Sequence, residues 1–97
     1  MVAQEILKQL GGNRFIAMTG AKNCADVGNG LAFQIPASLT KQRINAVKIV
    51  LDPSDTYTVR FIKCTTKEIK TVSEHSGIYC DQLVDLFEQQ TGLYTHL

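Results

Sequence analysis

Residues 47–61, V-K-I-V-L-D-P-S-D-T-Y-T-V-R-F, decide how the rest of the chain is read. Val47, Ile49 and Leu51 alternate with Lys48 and Val50; Tyr57, Val59 and Phe61 alternate with Thr58 and Arg60. A period of two marks half-buried strands. Asp52-Pro53 opens the stretch between them with turn chemistry, because proline pre-sets φ and aspartate hydrogen-bonds the backbone that follows it. The two runs therefore form an antiparallel hairpin with Asp52 to Thr56 as its loop. Pairing Leu51 with Tyr57, Ile49 with Val59 and Val47 with Phe61 puts all six apolar side chains on one face. A slip of one residue would turn every one of them to the other face. The same register sets Val50 beside Thr58 and Lys48 directly across from Arg60 on the opposite face. Facing like charges destabilise a sheet by a fraction of a kcal/mol, up to about 1. Either both side chains splay into screening solvent, or this face meets an anion such as a phosphate or a partner's carboxylates.

Leu31, Phe33 and Ile35 alternate before Pro36 and predict a further strand. Lys67 to Ser73, with only Ile69 and Val72 apolar, suits a strand at a sheet edge. Arg14 to Thr19, R-F-I-A-M-T, is dense in β-formers, ends at Gly20 and reads as a strand, whereas Gly20 to Gly30, rich in Gly and Asn, reads as a loop. Residues 37–43 read as a polar connection. Ala3, Ile6, Leu7 and Leu10 recur at helical spacing before Gly11-Gly12. At the other end Tyr79, Leu83 and Phe87, with Cys80, Val84 and Leu86 alongside, form the apolar face of a second helix. Gly77 turns the chain into that helix, Asp81 suits its positive end, and Gly92 takes the left-handed position after it, with Leu93 packing back. Tyr79 and Tyr94 anchor its two ends to the sheet. The order helix, strand, strand, hairpin, strand, helix predicts an α+β fold. Its antiparallel sheet has about four to five strands, flanked by an N-terminal and a C-terminal helix that cover one face. Ninety-seven residues suit one domain, 1–97.

The balance of 44% apolar and 20% charged residues is that of an ordinary globular chain. No apolar run reaches the roughly 20 residues of a membrane span, and the N-terminus lacks the basic-then-apolar order of a secretory signal, so a cytoplasmic protein is expected. Cys24, Cys64 and Cys80 are odd in number and far apart; they read as buried or half-buried free thiols rather than disulfides. A zinc site needs about four ligands in paired spacing, and neither a metal nor a cofactor is expected. Gly77-Ile78-Tyr79 matches half of a Gly-Ile-Tyr nuclease signature, but the second half, Tyr-Ile-Gly, has its counterpart here only in the opposite order, Gly92-Leu93-Tyr94. Cys80 with His75 or His96 lacks a third, orienting group. No enzyme is expected, and no catalytic residue is assigned.

Charge is segregated along the chain. Residues 41–70 hold Lys41, Arg43, Lys48, Arg60, Lys63, Lys67 and Lys70 against Asp52, Asp55 and Glu68, seven minus three or +4. Residues 71–97 hold Glu74, Asp81, Asp85 and Glu88 with no Lys or Arg, hence −4, so a net charge of +1 hides a dipolar molecule. Lys48, Arg60, Lys63, Lys67 and Lys70 are candidates for contact with an anion or nucleic acid; Asp81, Asp85 and Glu88 are candidates for contact with a protein. Tyr57 and Phe61 fall on the core face, which leaves few aromatics for base stacking, and the balanced net charge lacks a strongly basic footprint. The basic sheet of one copy could also meet the acidic helix of another, giving a homo-oligomer.

The combination F-I-A-M-T-G-A-K-N at 15–23, L-A-F-Q-I-P at 31–36, I-N-A-V-K-I at 44–49 with D-P-S-D-T-Y at 52–57, and G-I-Y-C-D-Q-L at 77–83 with T-G-L-Y-T at 91–95 spans most of the chain. It resembles a small family of phage, prophage and plasmid-encoded proteins of unassigned function. The resemblance implies a context, mobile DNA, in which small proteins act by binding. The leading expectation is a non-catalytic protein acting through a host or element-encoded protein partner, including inhibition of a host defence system. A nucleic-acid-binding accessory protein using the basic hairpin face comes second, and a small enzyme third.

Overall fold

A computed structural model describes residues 2–93. Its elements in chain order are α1 (Val2–Leu10), α2 (Asn13–Thr19), β1 (Lys22–Asp26), β2 (Gly30–Gln34), β3 (Ala46–Leu51), β4 (Tyr57–Cys64), β5 (Ile69–Ile78) and α3 (Leu83–Thr91). Single 3-10 turns lie at Ala37–Leu39, Lys41–Arg43 and Cys80–Gln82. The strands form one antiparallel sheet in sequential order, so the fold is α+β. The central hairpin has the register that alternation requires: Leu51 opposite Tyr57, Ile49 opposite Val59, Val47 opposite Phe61 and Lys48 opposite Arg60. Its inward residues join Leu31, Phe33 and Ile35 of the β2 segment in a single core. Ala3, Ile6 and Leu10 of α1, Phe15 of α2, and Leu83 and Phe87 of α3 complete that core. The helices thus lie on one face. The other carries Lys48, Val50, Thr58 and Arg60.

The segment 14–19, expected as a strand, is helical. Phe15 and Thr19 are buried one turn apart while Arg14 and Ala17 face solvent, a helical rather than a two-residue rhythm. The Phe15 ring meets Phe33 edge-on at 5.3 Å and Phe87 at 5.1 Å. Such packing overrides the weak local preference of F-I-A-M-T. The expected loop 20–30 contains strand β1, whose five residues are all exposed, so its side chains leave no alternation to read. It pairs through its backbone: Lys22 opposite Gln34, then Ala25 opposite Ala32 after an extra residue, with Asn23 left-handed at φ 54. Strand β5 is an edge strand, as expected, but runs to Ile78.

That extension changes the start of the last helix. Gly77, at φ 69, belongs to β5, and the helix begins at Leu83 after the 3-10 turn. Tyr79 is 60% exposed and anchors nothing to the sheet; its N–H donates to Gln82 Oε1 at 2.9 Å and ties down the turn. Cys80 is exposed too, so the apolar face of α3 consists of Leu83 and Phe87 with half-buried Leu86. All three cysteines are exposed free thiols, against the expectation of burial. Gly92 takes the left-handed position at φ 78, donating to the Glu88 carbonyl at 2.9 Å, and Leu93 is buried, both as expected. Tyr94 and His96 lie outside the described residues. Among the described residues no helix is long and apolar enough to cross a membrane.

Candidate binding surfaces

The open sheet face is the first candidate surface. Lys48 on β3 and Arg60 on β4 face each other, and the next residue in that row is Glu74 on β5. Arg60 Nε donates to Glu74 Oε1, with both side chains about half exposed. The counter-charge to the facing cations therefore comes from the neighbouring strand. Beside this row lies a shallow depression of about 340 Å³ lined by Lys48, Arg60, Asp52, Glu74, Thr58 and Ser76, among others. The Thr58 hydroxyl donates to Asp52 Oδ2 at 2.7 Å. Two cations and two carboxylates balance, and no aromatic ring lines the depression, so it offers neither net charge nor a stacking platform.

Lys63, Lys67 and Lys70 sit apart from Lys48 and Arg60, at the far end of the β4–β5 hairpin. Lys63 faces Lys70 across the two strands, a second pair of like charges. Lys67 lies in the connecting turn, where the Thr65 hydroxyl accepts the N–H groups of Lys67 at 3.3 Å and Glu68 at 3.2 Å. Among the described residues the one ion pair is that of Arg60 with Glu74, so the hairpin end has no such compensation.

Arg43, counted in the basic segment but not chosen as a contact, stands next to Lys63. Both line a concavity of about 390 Å³ together with Asn45 and Thr65. Gln42 and Arg43 are consecutive non-glycine residues in the left-handed region, at φ 56 and 57. Each such residue costs roughly 1–2 kcal/mol, so the surrounding structure must impose this turn. Part of the frame is visible: Asn45 Nδ2 donates to the Cys64 carbonyl at 2.7 Å, and Cys64 N–H returns to Asn45 Oδ1 at 2.8 Å. The only sequence signal for Arg43 was its charge, because a left-handed turn built on Gln and Arg has no composition signature.

The acidic candidates also divide. Asp81 in the 3-10 turn and Asp85 in the first turn of α3 are exposed near Tyr79 in sequence, whereas Glu88 is half-buried and engaged within the fold. At the opposite end of α3 the Lys41 ammonium donates to the Gln89 carbonyl at 3.1 Å. A cation there suits the negative end of the helix. The Cys80 and His75 pair suggests no chemistry: the His75 ring packs edge-on to Phe61 at 5.9 Å, and its Nε2 is buried with no hydrogen-bond partner. Compared with family models, with curated proteins and with solved structures, the chain matches none, so any functional reading rests on these surfaces.

Proposed function

We propose that this chain is a non-catalytic binding protein that acts through a protein partner, using the segment around Tyr79, Asp81 and Asp85. The observation that supports this reading is the exposure of Tyr79. A tyrosine 60% open to solvent heads a turn whose next exposed residues include two aspartates, in a stretch from 71 to 97 that holds no Lys or Arg. Tyrosine brings large apolar area and a hydroxyl at small entropic cost, which is why it is enriched at protein interfaces. The flanking carboxylates select a partner with a basic rim and speed encounter with it. The resemblance to mobile-element proteins fits a host or element-encoded partner, including a component of host defence.

The test is a tagged-protein capture from host cells, run in parallel with Tyr79→Ala and Asp85→Lys variants. Both residues are exposed, so each variant should keep the wild-type circular dichroism spectrum, and Asp85→Lys, which sets a cation at the positive end of α3, should lower the unfolding midpoint by only a few degrees. A specific protein held by the wild type and lost by both folded variants supports the reading. An unchanged set of bound proteins overturns it.

A further inference from the structure

We infer that the end of the sheet around Arg43 and Lys63 is a binding site for the phosphodiester backbone of nucleic acid, separate from the Tyr79 segment. Two neighbouring concavities carry the inference. The one holding Arg43 and Lys63 and the one holding Lys22 share Ala37, Asn45 and Cys64 in their walls, so together they form one trough across the sheet's end. Neither wall contains an Asp or Glu.

The register sets the span. Lys22 lies opposite Gln34, Gln34 opposite Ala46 and Ala46 opposite Ile62, so Lys22 and Lys63 are separated by three strand spacings. At about 4.8 Å per spacing this is about 14 Å. A single phosphate could not reach both ends; one strand of a duplex, advancing about 3.4 Å per nucleotide along the axis, would present several phosphates over that distance. Lys70, opposite Lys63, and Lys67 in the turn beyond it place further cations past the far end of the trough, with Glu68 between them in the chain.

Three further features fit this ligand. Lys63 and Lys70 face each other without an ion-pair partner among the described residues, a conflict that a polyanion would relieve. The strained turn at Gln42 and Arg43 sets Arg43 in the trough wall, and the planar fork of its guanidinium suits phosphate oxygens. The polar wall groups Gln34, Asn45 and Thr65 are already engaged within the fold, so the contacts offered to a ligand are those of the cations, which suit phosphates. No aromatic residue lines the trough, so it offers no platform for base stacking and its contacts fall on the phosphate backbone.

The experiment is fluorescence anisotropy of a labelled 20-base-pair DNA duplex titrated with the full chain from about 50 to 200 mM NaCl. Five phosphate contacts give a slope of log K against log salt of about −4.5, or an affinity loss of about 500-fold over that range. Arg43→Gln with Lys63→Gln should make the slope shallower by about 1.8, while Lys48→Gln leaves it unchanged and Lys63→Arg retains full binding. Circular dichroism of each variant establishes that it is folded. Three results would each overturn the assignment: no binding at 50 mM salt, a slope unaffected by the double variant, or displacement of the duplex by polyglutamate at equal charge concentration. The last would reassign the trough to acidic protein. Loss of binding on Tyr79→Ala would also overturn it, since the two surfaces would then not be separate.

Discussion

Replacing Glu74 by Gln removes the only carboxylate that the sheet register places beside two facing cations. Arg60 and Glu74 are about half exposed, so their ion pair contributes in the range measured for surface pairs, about 0.2–1 kcal/mol. Its loss also unmasks the repulsion between Lys48 and Arg60, which adds a fraction of a kcal/mol, up to about 1. The expected cost of Glu74→Gln is therefore about 1 kcal/mol. In a domain of this size that lowers the unfolding midpoint by about 4–8 °C. Lys48→Gln by itself should be close to neutral, because Glu74 already balances Arg60. In the Glu74→Gln background the same change should recover about half of the loss. The assay is urea unfolding of the four proteins at about 0.1 M and 1 M NaCl, where the screening length falls from about 10 to 3 Å. The coupling between the two substitutions should shrink at high salt. Equal effects of Lys48→Gln in both backgrounds, or a Glu74→Gln cost that ignores salt, would refute the account, because Glu74 would then act through shape rather than charge.

Two further predictions concern the frame that positions these surfaces. A Cβ at Gly30 would stand 2.0 Å from the Ile49 carbonyl oxygen and 2.9 Å from the Val50 Cα. Gly30→Ala must therefore push β2 and β3 apart. That weakens the adjacent bonds from Leu51 N–H to Asn29 O and from Val27 N–H to Gly30 O, and costs about 2–3 kcal/mol. Gly28→Ala meets open space and pays only for its φ of +91, about 1–2 kcal/mol; denaturant unfolding that ranks Gly28→Ala as the costlier change would contradict the model of strand contact. Thr19→Val and Thr91→Val each strand a buried N–H, that of Ala21 or Leu93, and should each lower stability by about 1–3 kcal/mol. Thr→Ser, which keeps the hydroxyl, should cost clearly less at both positions, and equal losses for Val and Ser would count against the hydrogen bonds.

The central hairpin was legible because its inward face is wholly apolar and the charged residues Lys48 and Arg60 face outward, and only one register satisfies both strands. That signal fails wherever a strand buries no side chain. β1 buries no side chain and is held by backbone bonds and the Asn23 Nδ2 bond to Gln34 Oε1, so its sequence carries Gly and Asn signals for a loop and no alternation for pairing. The candidate surfaces follow the same division. Lys48 opposite Arg60 could be read from the register, while Glu74 could not, because an extra residue in β5 between its pairings with Phe61 and Ile62 shifts the partners. Arg43 was out of reach because its turn uses residues that rarely adopt positive φ.

The segment 14–19 is different, since a signal for it was present. Phe15-Ile-Ala-Met-Thr19-Gly20 and Phe87-Glu-Gln-Gln-Thr91-Gly92 share the spacing Phe-x-x-x-Thr-Gly. In each, the buried threonine hydroxyl donates to the phenylalanine carbonyl one turn back at 2.7 Å and accepts the N–H two residues on, while a left-handed glycine closes the helix. The second copy reads as a helix end because polar residues between Phe87 and Thr91 make the period plain. In the first copy Ile16, Ala17 and Met18 fill the same positions and hide it. The two phenylalanines meet edge-on at 5.1 Å in the core, so one pattern ends both helices and joins them. A period hidden by apolar residues on the outer side of a short helix can thus be recovered from its capping chemistry. Capping depends on a threonine, a glycine and their spacing, and not on the contrast between two faces.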